Sequence, residues 1–144
     1  MVNILKATRL SRIQFLFWSN IAIGGFLIGV TLSFVMFIPF LREYMPLEFM
    51  YLGIVFVLLS YFILCRSSVL RFRDFSMLGM PVFSYLTPLG PITFLMLLFI
   101  PGNKGENKYG SEPVKAGRGL VISTIITVPV LMIYSLYIGL AIPF

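Results

Sequence analysis

The chain has 144 residues, 59% of them hydrophobic and 11% charged. With its 12 glycines counted in, the apolar share is about two-thirds, against about 45–50% in soluble domains, and the charged share is less than half the usual quarter. A water-soluble fold of one-domain size has too little interior for that surface, which excludes a soluble enzyme, a nucleic-acid module and a disordered chain.

Net charge is +6, from 11 Lys and Arg against 5 Asp and Glu. The basic residues sit in short clusters that flank apolar segments. That placement reads as a topology signal and as contact with anionic lipid headgroups. There is no histidine and a single cysteine, Cys65. His-based metal sites and Ser-His or Cys-His catalysis are therefore absent, and no catalytic, metal or cofactor residue is assigned.

In chain order, residues 1–14 come first. Lys6, Arg9 and Arg12 recur every three residues among Ile4, Leu5, Leu10 and Ile13. This spacing predicts a short amphipathic helix on the membrane surface. Four apolar segments follow, at about Phe17–Leu41, Leu47–Cys65, Leu78–Ile100 and Leu120–Ile142, with Glu48 at the start of the second their one charge. Each is long enough for a helix to cross roughly 30 Å of hydrocarbon. The first is too long for a signal-peptide core and reads as an uncleaved membrane helix. The expected fold is a single all-α integral membrane domain over residues 1–144, with four hydrophobic helices and the short interfacial one.

The third segment is broken by Gly79, Pro81, Pro88, Gly90 and Pro91. Either it spans with a kink, or it is re-entrant and turns at Thr87–Pro91. Four spans with the N-terminus inside put six cations inside and five outside; a re-entrant third segment puts ten inside and one outside. The positive-inside rule prefers the second arrangement. Length and lack of charge prefer the first, and four spans is the expectation carried forward. Arg71, Arg73 and Asp74 approach Asn107–Tyr109 only in the re-entrant arrangement.

Two packing faces are visible. Gly25-x-x-x-Gly29-x-x-x-Ser33 places small residues in a groove along the first helix, and Ser123, Thr127, Ser135 and Gly139 form a row on the fourth, interrupted by Leu131. Trp18, Tyr44, Tyr51 and Tyr61 lie near the segment ends, as an interfacial aromatic belt requires, while Tyr134 and Tyr137 lie deeper and need partners for their hydroxyls.

Three stretches carry a resemblance. They are Leu10-Ser11-Arg12-Ile13-Gln14-Phe15, then Leu70-Arg71-Phe72-Arg73-Asp74 with Gly79 five residues on, then the run from Pro101 to Pro113 containing Pro101-Gly102, Asn107, Tyr109 and Gly110. Together they resemble a family of small bacterial inner-membrane proteins known as domain of unknown function 805, over about residues 9–113. The chain departs from the family pattern at Arg73, where histidine is usual, at Met77-Leu78, and at Leu16, where tryptophan is common. The fourth helix lies beyond the shared region. The resemblance implies a multi-pass protein of the bacterial inner membrane and no known activity.

Arg12, Arg71, Arg73, Asp74, Asn107, Tyr109 and Gly110 are the candidate contacts for lipid headgroups or a partner. Asp74 is expected to pair with an arginine or to cap the next helix. Three functions compete. The favoured one is a non-enzymatic scaffold or accessory subunit, in a homo-oligomer or larger membrane complex, with its N-terminus in the cytoplasm. The alternative is a small oligomeric transporter or channel built on the broken third segment. A lipid-acting enzyme is a distant third, since one carboxylate without histidine or metal ligands is a poor catalytic set.

Overall fold

A computed structural model describes residues 7–35, 47–78 and 80–141. These form helices α1 (Arg12–Val35), α2 (Glu48–Asp74), α3 (Gly90–Phe99) and α4 (Arg118–Ala141), with a 3-10 helix at Met80–Leu86 between α2 and α3. There is no β-strand among the described residues. Two of the helices, α1 and α2, are long and apolar enough to cross a membrane.

The predicted surface helix over residues 1–14 is not what residues 7–14 form. The chain is non-helical from Ala7 to Ser11, and α1 starts at Arg12. Residues 1–6 lie outside the described ones. Ser11 sets the boundary through a capping box. Its hydroxyl accepts from the Gln14 amide at 3.4 Å, and Gln14 Oε1 accepts from the Ser11 amide at 2.9 Å. Leu10, fully buried against Leu70, donates its amide to the Leu70 carbonyl at 3.4 Å. This segment is thereby held against the end of α2.

α1 and α2 run antiparallel in close contact. A β-carbon on Gly29 would stand 2.7 Å from the Gly53 carbonyl oxygen and 2.9 Å from the Val57 amide nitrogen. One on Gly53 would stand 2.6 Å from the Gly29 oxygen and 2.9 Å from the Ser33 nitrogen. One on Gly25 would strike Ser60 Oγ. The Gly25, Gly29 and Ser33 face therefore lies against α2 of the same chain, and Gly53 and Ser60 are its counterparts. Backbones meet here because no side chain separates them.

α4 runs parallel to α1. Gln14 donates to the Val114 carbonyl at 2.8 Å, a β-carbon on Gly24 would stand 3.1 Å from Leu131, and the Tyr134 hydroxyl lies 3.4 Å from Thr31 Oγ1. Leu131, which interrupts the small-residue row, is thus the side chain packed on α1. The side chains of Ser135 and Tyr137, and the surroundings of Gly139, lie outside what the structure describes.

The third apolar segment does not carry the chain to the opposite end. The 3-10 helix descends, Thr87–Leu89 turns, and α3 returns. Pro88 sits in the turn, closed by the Gly90 amide on the Thr87 carbonyl at 3.1 Å, and Pro91 falls in the first turn of α3, where its missing N–H costs nothing. At 10 residues, α3 is about 15 Å long, half of what a crossing needs. After it, the Asn103 amide donates to the Asp74 carbonyl at 2.9 Å. The four-span expectation is corrected on this point. A stretch with two prolines flanking a glycine makes a turn more cheaply than a kinked span, because the turn needs none of the amides that proline lacks.

The interior is more polar than the surface. Among the described residues, Arg9, Gln14, Ser19, Ser67, Ser68, Arg71 and Asp74 are buried, while Leu58, Phe62, Leu86, Phe99, Ile125 and Ile133 are more than half exposed. Large apolar side chains thus face outward along α1 and α2, the two helices long and apolar enough to cross a membrane, as they do along α3 and α4.

Candidate functional site

The buried polar residues converge where α2 ends and α1 and α4 begin. α2 continues nine residues past Cys65, so Arg66, Arg71, Arg73 and Asp74 are helical and not loop residues. Its end is a Schellman turn: the Ser76 amide bonds the Arg73 carbonyl and the Met77 amide the Phe72 carbonyl, both at 3.0 Å, with Ser76 at φ 61°. Asp74 does not cap the helix that follows.

Asp74 is the pivot. Its Oδ1 accepts from Arg9 Nε at 3.1 Å and from Arg9 Nη2 at 2.8 Å, and its Oδ2 accepts from Arg71 Nη1. All three side chains are nearly inaccessible. Arg9 then reaches into the loop after α3. Its Nη1 donates to the carbonyls of Gly105 at 2.7 Å and Gly110 at 3.0 Å, and its Nη2 to that of Asn103 at 2.7 Å. All five donor hydrogens of this guanidinium are used.

Arg71 ties the remaining elements. Nε donates to the Leu97 carbonyl at 3.0 Å, Nη2 to that of Ile100 at 2.6 Å, and Nη1 to that of Leu10 at 3.2 Å. Leu97 lies in the last turn of α3, where carbonyls have no intrahelical partner, and Ile100 is the extended residue that ends the helix. A cation at a helix C-terminus also meets the favourable end of its dipole. The Phe75 ring lies 4.5 Å from the guanidinium carbon. Beneath the charges, Phe15, Phe72 and Leu97 form an apolar cluster that joins α1, α2 and α3.

The loop from Pro101 to Pro113 is shaped to receive these groups. A β-carbon on Gly102 would collide with the Asp74 carboxylate and stand 3.0 Å from Arg71 Nη1, so only glycine lets the backbone pass. Gly105, at φ 75°, turns its carbonyl toward Arg9. Asn107 and Gly110 exchange backbone hydrogen bonds at 3.0 and 2.9 Å, Asn107 Nδ2 donates to the Arg73 carbonyl at 2.9 Å, and Asn107 Oδ1 accepts from the Tyr109 amide at 2.9 Å. The Tyr109 ring stands 5.5 Å from the Arg73 guanidinium carbon and 5.1 Å from Lys108 Nζ.

Six of the seven residues named from the sequence, Arg71, Arg73, Asp74, Asn107, Tyr109 and Gly110, thus meet in one place. Arg12 is exposed on the first turn of α1 and stands outside the cluster. Arg9 takes the central position instead. Its three-residue spacing from Arg12 suggested a common helix face; Ser11 and Gln14, three apart, were the signal that the helix begins only after Arg9.

The sequence matches the family described as protein of unknown function (DUF805) over residues 6–111. The chain belongs to this family. The matched stretch of DUF805 holds every member of the Arg9–Asp74–Arg71 clamp and its loop acceptors, and it ends before α4. No curated protein and no solved structure matches the chain. Among the described residues no group of three potential metal ligands occurs.

Proposed function

We propose that this DUF805 protein is a multi-pass protein of the bacterial cytoplasmic membrane that acts as a non-enzymatic scaffold or accessory subunit. In this reading α1, α2 and α4 cross the bilayer, and the 3-10 helix and α3 enter it from the cytoplasmic side and return. The single observation that carries it is the clamp. Its buried cations spend their donors on the protein's own carbonyls and on Asp74, so the most polar group in the chain serves to fix architecture. The outward leucines, isoleucines and phenylalanines supply the hydrocarbon-facing surface.

Cation placement supports the orientation. All nine cations among the described residues lie at, or within about two turns of, the end where α2 finishes and α1 and α4 start. The positive-inside rule assigns that end to the cytoplasm. Topology reporters test the arrangement: a fusion after residue 110 should read cytoplasmic and one after residue 144 external. An external signal at 110 overturns it. Copurification in mild detergent tests the scaffold role. A stoichiometric protein partner is the expected result, and a pure homo-oligomer that conducts solute instead establishes the transporter reading. What favours that second reading is the non-helical Thr87–Leu89 turn between two short helices, a feature of substrate sites in transporters.

A further inference from the structure

We infer that the cavity between the starts of α1 and α4 is a binding site for one anionic phospholipid, which takes the phosphate at its mouth and the glycerol and first methylenes within. The inference rests on the membrane reading above. The cavity measures about 670 Å³ and is walled by Phe17 on α1, Val114 and Lys115 before α4, and Gly117, Gly119 and Leu120 around its first turn. That volume lies within the range of small-molecule sites, roughly 300–1,000 Å³.

Its chemistry is graded as a lipid is. Phe17, Val114 and Leu120 supply apolar walls, and Lys115, the charged residue of the lining, is exposed. No carboxylate lines it. The charge at the opening is therefore complementary to a headgroup of net negative charge and opposes the choline cation that balances the phosphodiester of phosphatidylcholine. Deeper along the helices the space closes where Leu131 packs on Gly24. The lining on α4 runs from Gly119 to Ser123, roughly 6 Å of helix, which suits a glycerol backbone and the first methylenes and is too short for a whole acyl chain. Gln14 acts as a strut. It is buried, and its bond to the Val114 carbonyl fixes the wall without help from the occupant.

Gly119 is the independent sign. It has no positive φ, and a β-carbon on it would meet nothing within 4 Å. Elsewhere glycine answers a contact or a turn: Gly29 meets Gly53, Gly102 meets Asp74, Gly105 sits at φ 75°, and Gly117 precedes α4, where its carbonyl accepts from the Leu120 and Val121 amides and glycine is common. At Gly119, in the first turn of α4, no packing neighbour requires it, while glycine inside a helix costs up to about 1 kcal/mol relative to alanine. What its bareness preserves is width at the cavity wall.

Native mass spectrometry of the full chain, extracted from vesicles of equal phosphatidylglycerol and phosphatidylcholine, tests the site. The wild type should retain one phosphatidylglycerol with about tenfold or greater preference, the scale of one charge-assisted contact. Lys115→Gln should bring the preference close to one, and Gly119→Leu should abolish retention by filling the space. Gly119→Leu adds a helix-favouring residue where nothing stands in its way; if it nevertheless misfolds, Lys115→Gln decides. Equal retention of both lipids by the wild type overturns the inference, as does an unchanged preference in Lys115→Gln. Displacement of the lipid by excess inorganic phosphate also overturns it, since that outcome marks a site for a free anion. Flotation of the wild type with pure phosphatidylcholine vesicles separates the two readings. A chain that fails to float removes the membrane reading, whereas one that floats without phosphatidylglycerol preference removes only this site.

Discussion

Replacing Asp74 with alanine should destabilise the folded chain by about 3–5 kcal/mol, the cost of breaking a buried ion pair from one side. The structure shows where that cost arises. Asp74 is the one carboxylate between two buried guanidinium groups, and it accepts two hydrogen bonds from Arg9 and one from Arg71. Without it, the buried charge of the cluster rises from +1 to +2 and three donor hydrogens lose their acceptor. Asp74→Asn keeps one oxygen for Arg9 but turns an amide donor toward Arg71, so roughly half the loss is expected. Unfolding in mixed detergent micelles, followed by the fluorescence of Trp18, reads this directly, because Trp18 packs against the Leu10–Leu70 cluster beside the clamp. The expected shift in the unfolding equilibrium is at least about a hundredfold for alanine. A change below about 0.5 kcal/mol, the size of an ordinary surface substitution, would refute the reasoning.

Other outcomes follow from the same geometry. Arg71→Lys should lose about 2 kcal/mol or more in the same assay, because a single ammonium cannot reach the carbonyls of Leu97, Ile100 and Leu10 together with Asp74. The double change Arg71→Met with Asp74→Met removes one charge of each sign yet should remain destabilised, since the Leu97 and Ile100 carbonyls and two donor hydrogens of buried Arg9 lose their partners; wild-type stability would refute this. Gly29→Leu should cost about 3 kcal/mol or more, because it meets backbone atoms of α2 that cannot yield. Gly24→Ala, which meets only the tip of Leu131, should stay within about 1 kcal/mol of wild type.

Much of this arrangement could be read from residue types. Small residues four apart announced the α1 face that lies on α2, and the three motif stretches that resembled DUF805 are the ones that converge at the clamp. The counterparts were less visible: Gly53 and Ser60 are seven apart and stand in a run of large apolar residues, with no repeated spacing to mark them. The third segment carried two opposed signals. Its length and lack of charge argued for a span, while Pro88, Gly90 and Pro91 and the ten-to-one cation count argued for a return. The return holds because prolines terminate helices locally, whereas apolar length is needed equally by a span and by a buried hairpin. Arg9 was hidden for a different reason. A cation in a terminal cluster resembles any other until the loop that receives it, almost a hundred residues later, is in place.

The claim at the centre is that the chain returns after α3, so that the end of α2 and the 101–113 loop share one end of the molecule. Spin labels at Met77→Cys and Lys104→Cys, on a Cys65→Ser background, measure it in reconstituted vesicles. Both positions are exposed and flank the Ser76–Asn103 hydrogen bond of 2.8 Å. The account predicts an interspin distance under about 20 Å, and a distance of roughly 30 Å or more, the thickness of the hydrocarbon core, would contradict it.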